Sequence, residues 1–150
     1  IGQCMGAGDT GAAEAYFHKL LKVTLLFSVV WNTAVFALTP VIMPFFDVAP
    51  ETRSLTVWLV LIHNIFNCIA FPFADPLGKG LRAAGDVKFT VVWALITTIG
   101  VRLLSSILFA IVFDMGVIGI AFAMSLDWCV RAVVFYIRFR SGKWKNYQLI

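Results

Sequence analysis

Residues 23–46 read VTLLFSVVWNTAVFALTPVIMPFF, a stretch without a single Lys, Arg, Asp or Glu. An α-helix needs about 20 predominantly apolar residues to cross the hydrocarbon core of a bilayer. Leu55–Ala74, Phe89–Phe113 and Met115–Ile137 are runs of similar length. The run Leu55–Ala74 is also uncharged, Phe89–Phe113 holds only Arg102, and Met115–Ile137 holds only Asp127 and Arg131. Of the 150 residues 61% are hydrophobic and 13% charged, against about 25% charged in an ordinary soluble domain. A soluble domain of this size has no core that could surround four such helices. The pattern predicts an all-α integral membrane chain, with four transmembrane helices in two antiparallel hairpins. The spans fall at about 12–46, 54–76, 87–113 and 116–140.

Charge is sorted between the two ends of these spans. Lys19 and Lys22 precede the first span, and Lys79, Arg82 and Lys88 lie between the second and third. Arg138, Arg140, Lys143 and Lys145 follow the fourth, whereas the other two connections carry only Arg53. Basic residues of short loops stay on the cytoplasmic side. Both chain ends and the middle loop are therefore expected in the cytoplasm. The basic residues sit at membrane edges and not on one soluble face, so no nucleic-acid partner is expected. The chain begins with Ile1 and shows no signal peptide, which reads as a piece whose N-terminal portion is missing.

Local signals refine this picture. Asp9 and Thr10 are candidate N-caps for a helix starting near Ala12, whose first turns are amphipathic through Lys22. Pro40 and Pro44 predict a kink or stop. The segment Phe71-Pro72-Phe73-Ala74-Asp75-Pro76 predicts a break in the second span, followed by a loop over Leu77–Asp86. Asp114-Met115-Gly116 is short enough to force an antiparallel hairpin. Gly6-Ala7-Gly8-Asp9 and Ala83-Ala84-Gly85-Asp86 precede the first and third spans as a weak internal repeat. Cys4, Cys68 and Cys129 lack metal spacing and read as small apolar residues.

Asn64, Asn67, Phe71 and Asp75 step by three or four and so share one face of the second span. Intramembrane polar groups face a bundle interior or a water-filled cavity, so these residues, with His63, are candidates to line a substrate cavity. Interhelical hydrogen bonding is the alternative role. Trp31 is a candidate cargo contact through cation–π interaction, while Trp58 and Trp144 suit the interfacial belt. Pro40, Pro72 and Pro76 are candidate hinges. Thr24, Ser28, Asn32 and Thr39, and likewise Thr97, Thr98, Ser105 and Ser106, read as close-packing residues. Arg102 and Asp127 each stand about a dozen residues from the Asp114 turn, hence at the same depth, roughly 18 Å from that turn. This predicts a structural ion pair between them, with Arg131 sharing the acid at i+4 from Asp127. The sequence holds no metal-ligand cluster, nucleophile–base pair or phosphate loop, so neither an enzyme nor a bound cofactor is expected.

The segment Gly80-Leu81-Arg82-Ala83-Ala84-Gly85-Asp86-Val87-Lys88-Phe89 resembles the inner-loop signature of the multidrug and toxic compound extrusion (MATE) family. Gly2-Gln3 with Gly6-Ala7-Gly8-Asp9, and the tail Asp127-Trp128, Val130-Arg131, Arg138-Phe139 and Ser141-Gly142-Lys143-Trp144, resemble other motifs of that family and follow in its order. The resemblance implies the last four of twelve transmembrane helices, from the second bundle of a two-bundle plasma-membrane transporter. It implies export of small organic cations in exchange for Na⁺ or H⁺. The partners would be the lipid bilayer and the N-terminal helices of the same chain, and Leu81, Arg82, Gly85 and Asp86 would form a cytoplasmic loop. The coupling acid of the family belongs to the first bundle. Some members carry another acid at a position that falls near Phe71 here, about one turn from Asp75. A lipid or oligosaccharide flippase of the same superfamily is the alternative within transport. A non-transporting membrane scaffold is the alternative outside it.

Overall fold

A computed structural model describes residues 1–147. The chain folds as four long helical stretches, each long and apolar enough to cross a membrane: Thr10–Phe45, Pro50–Ala83, Val87–Val112 and Gly116–Arg140. A short helix α1 (Gly2–Gly6) precedes them. The first stretch is α2 (Thr10–Ile42), started by Asp9, whose carboxylate accepts from the Ala12 N–H at 2.8 Å. Pro40 lies inside α2, which tightens into a 3₁₀ turn over Met43–Phe45. The second stretch is α3 (Pro50–Ala74) followed by α4 (Pro76–Ala83). α3 starts on Pro50, whose missing N–H is no loss in a first turn.

The helix interruption falls at Asp75, between the two prolines, with Pro72 accommodated inside α3. The region read from sequence as a loop, Leu77–Asp86, is helical through Ala83. Gly78 and Gly80 argue locally against helix, but tertiary packing decides here. Leu77 and Leu81 are fully buried. A Cβ at Gly78 would stand 2.6 Å from the Phe135 ring, and one at Gly80 would collide with Phe17. The glycines let α4 lie directly against two aromatic rings.

The third stretch is irregular where the sequence suggested one plain helix. α5 (Val87–Ile96) passes into a π-helical segment (Thr97–Leu103), then α6 (Leu104–Ile107), then a second π segment (Leu108–Val112). The left-handed Asp114 (φ 53°) and Gly116 (φ 55°) turn the chain into α7 (Gly116–Arg140). Gly119 permits close approach there, since a Cβ would stand 2.7 Å from the Phe109 carbonyl carbon.

In space the order is first, second, fourth, third: α3 packs between α2 and α7, and α7 between α3 and the third stretch. α3 and α7 approach through Ala70, Ala74 and Ala132, the small-residue contact that suits membrane helices. The larger core lies at the end carrying the chain termini. It joins Met5, Phe17, Leu77, Leu81, Phe135, Phe139 and Trp144. Trp144, read from sequence as an interfacial residue, is fully buried there; its indole N–H donates to the Phe139 carbonyl at 3.0 Å.

The two Gly-Asp stretches share a backbone. Ala7 (φ −83°, ψ 0°) and Ala84 (φ −79°, ψ 0°) end α1 and α4, and Gly8 and Gly85 follow with φ of 75° and 100°. The Asp9 N–H bonds the Cys4 carbonyl at 2.9 Å and the Asp86 N–H bonds that of Leu81 at 3.0 Å, the long-range bond of a Schellman cap in both cases. The repeat is thus a helix-stop, helix-start device before each of the first and third spans.

Candidate functional site

The polar residues of α3 do not act as one row. Asn64 is buried and its amide nitrogen has no hydrogen-bond partner among the described residues. His63 and Asn67 line a narrow cleft, too tight for a water molecule, with Phe66, Ser125 and Trp128. Phe71 packs on Trp128 with ring centroids 5.9 Å apart. Asp75 is engaged by Lys79 at 2.8 Å, one helical turn on. Trp31 lies outside this cleft; it is 60% exposed and stacks on Phe27.

The opposite side of the same two helices is wholly different. Ile65 and Ile69 stand two residues from Asn67, about 200° around the helix. They line a groove of about 530 Å³ with Phe73, Ala132, Val133 and Tyr136. The α3–α7 pair therefore has one apolar face, suited to lipid, and one face that gathers polar and aromatic groups.

Beside the polar face lies the charged cluster. Asp127 is fully buried on α7. Its Oδ2 takes Arg102 Nη2 at 2.8 Å and its Oδ1 takes Arg131 Nη2 at 3.2 Å. Arg131 also reaches the third span: its Nε donates to Thr97 Oγ1 at 3.2 Å and its Nη2 to Thr98 Oγ1 at 2.9 Å. Its guanidinium lies 5.9 Å from the Trp128 ring centre. In the π segment, bonding runs from i to i+5, which stacks Thr97 over Arg102 and brings both to α7. A lone charge at this depth costs at least about 2.5–3.5 kcal/mol, so the pairing offsets a large penalty.

A second charged site, not anticipated from sequence, closes the terminal end. Asp86 is fully buried and grips Arg138 through two bonds, Nε–Oδ2 at 2.6 Å and Nη2–Oδ1 at 3.2 Å. The guanidinium carbon lies 4.4 Å from the centre of the Phe89 ring, and Tyr147 adds its hydroxyl at 3.3 Å. Of the sequence motif around it, Leu81 is buried, Arg82 is exposed, and Gly85 supplies the left-handed turn that delivers Asp86. The partners are 52 residues apart, and only their presence in family-like motifs hinted at a link. Among the described residues no group of three or more His, Cys, Asp or Glu is placed to hold a metal ion.

The MatE family model matches residues 1–108, which hold the first two spans, most of the third and the Asp86 turn. This chain belongs to the MATE family. The MATE chain is also similar to the uncharacterized transporter YisQ of Bacillus subtilis (strain 168), at 32% identity over 158 aligned positions. That match covers 96% of this chain and 31% of the relative, so the MATE chain spans less than a third of that relative's length. No solved structure matches it. Family and structure together make it a multi-pass membrane chain of the MATE family.

Proposed function

We propose that this chain is the C-terminal third of an efflux antiporter in the plasma membrane. It would export small organic cations in exchange for Na⁺ or H⁺ by alternating access, with both ends of the segment in the cytoplasm. The observation that carries this reading is the polar face of α3 and α7. His63, Asn67, Ser125 and Trp128 meet in a cleft there, within a few turns of the helix interruption at Asp75. Polar groups in membrane helices collect along substrate paths, and transporters bind cargo where helices are broken. The apolar groove on the other side supports the same orientation, because it suits contact with lipid. On this reading Asp127 locks the last hairpin by holding Arg102 and Arg131 together.

The test uses the full-length protein in proteoliposomes. An imposed Na⁺ or proton gradient should drive export of a fluorescent organic cation, and Asn67→Leu should slow it several-fold without lowering the melting temperature. Transport that neither gradient drives would remove the antiport reading. An Asn67→Leu effect confined to stability would return the residue to a packing role.

A further inference from the structure

The charged cluster does not balance. Two guanidiniums face one carboxylate, and guanidinium keeps its charge at any relevant pH. Both oxygens of Asp127 are already occupied. Arg131 places its Nε and Nη2 on Asp127, Thr97 and Thr98, with the Ala94 carbonyl at 3.5 Å. Arg102 is different: it makes one contact, to Asp127, and its buried Nε has no hydrogen-bond partner among the described residues. One third of its side chain is nevertheless exposed. Arg102 is therefore the less satisfied of the two guanidiniums. It sits on a π segment, a rare geometry that is concentrated at functional sites.

We propose that the spare edge of Arg102 binds a carboxylate, supplied by the transported molecule. A guanidinium presents parallel N–H donors that match a carboxylate's two oxygens. The depth, roughly 18 Å from the Asp114 turn, is near the middle of a hydrocarbon core about 30 Å thick and far from lipid phosphates. Arg131 links the cluster to the Trp128 and Phe71 rings, which offer an aromatic surface for the rest of such a molecule. The exporter reading above supplies only the source of the carboxylate; the site itself stands on the geometry of Arg102.

The probe is benzoate, titrated into the full-length protein in detergent and followed by calorimetry. Saturable binding is expected, weakened at least about tenfold by Arg102→Gln, the weight of a charge-assisted hydrogen bond. Arg102→Lys keeps the charge beside Asp127 but loses the fork. It should bind more weakly than the wild type and serves as the deciding variant if Arg102→Gln does not fold. Neutral benzamide should bind at least about tenfold more weakly than benzoate on the same grounds. Absence of saturable benzoate binding in the wild type would overturn the proposal, since the charge would then be met by another side chain of the protein. Equal affinity in the variants, or for benzamide, would also overturn it. Failure of gradient-driven cation export with benzoate binding intact would remove the antiport reading and leave the site in place.

Discussion

Asp127 and Asp86 are both fully buried carboxylates held by arginine, yet they solve opposite problems. Asp86 meets one guanidinium edge-on, with an aromatic ring beneath it and a tyrosine beside it. Charge there is matched one to one, at a membrane edge. Asp127 is shared by two arginines in the middle of the span, and one of them, Arg102, makes no second polar contact among the described residues. A balanced pair fixes structure, whereas an unbalanced one leaves a group that answers to something else. The difference separates a clamp from a site.

The largest effect should come from Asp127→Ala. It would strand two arginines at depth and cost about 3–5 kcal/mol, as for a buried pair that loses one partner. Replacing Arg102, Asp127 and Arg131 together with apolar residues should restore most of the folded yield, because no orphaned charge remains. A single variant as stable as wild type would break the comparison from the Asp127 side.

Arg138→Gln should cost less, about 2 kcal/mol, the lower end for truncating a buried charge pair. Asp86 lies near the edge, where water can reach a released carboxylate. Thermal unfolding of the full-length protein in detergent would read both variants. If Arg138→Gln proved the more damaging, the clamp would outrank the deep cluster and the depth argument would fail.

Gly80→Ala sharpens the clamp from its other side. The added methyl collides with Phe17, and overpacking of this kind costs about 1–3 kcal/mol. It should lower the melting temperature without changing benzoate affinity. A change in affinity would show that the two regions are coupled.

The smallest effect is expected for Lys145→Gln. Lys145 bonds Glu14 across the terminal end, but both side chains are well exposed. No resolvable shift in melting temperature should follow, and added salt should remove any that does.

The four spans were legible because two of the runs hold no charge and the other two hold only Arg102, Asp127 and Arg131 between them. Arg102 and Asp127 could be placed at one depth from chain spacing alone, because they flank a tight turn at nearly equal distances. α4 was hidden, since Pro76, Gly78 and Gly80 spell a loop until Phe17 and Phe135 are known to lie against them. The π segment left no mark in composition. The Asp86–Arg138 clamp joins residues far apart in sequence, and hydrophobic periodicity carries no information about such a pair. The stripe on α3 was legible as a face, but not its division into a buried Asn64, a cleft at Asn67 and a paired Asp75.

The spatial order of the helices also bears on how the protein is made. The third span leaves the ribosome with Arg102 aboard before Asp127 exists. The 25 residues that follow Arg102 up to and including Asp127 take about 1–5 s to synthesise at cellular rates of about 5–20 residues per second. For that interval a membrane-bound arginine has no acid to meet. The third stretch is the most apolar of the four, which gives it the means to stay inserted while it waits. Slowing translation between the two residues would lengthen the unpaired interval and expose this span to quality-control proteases.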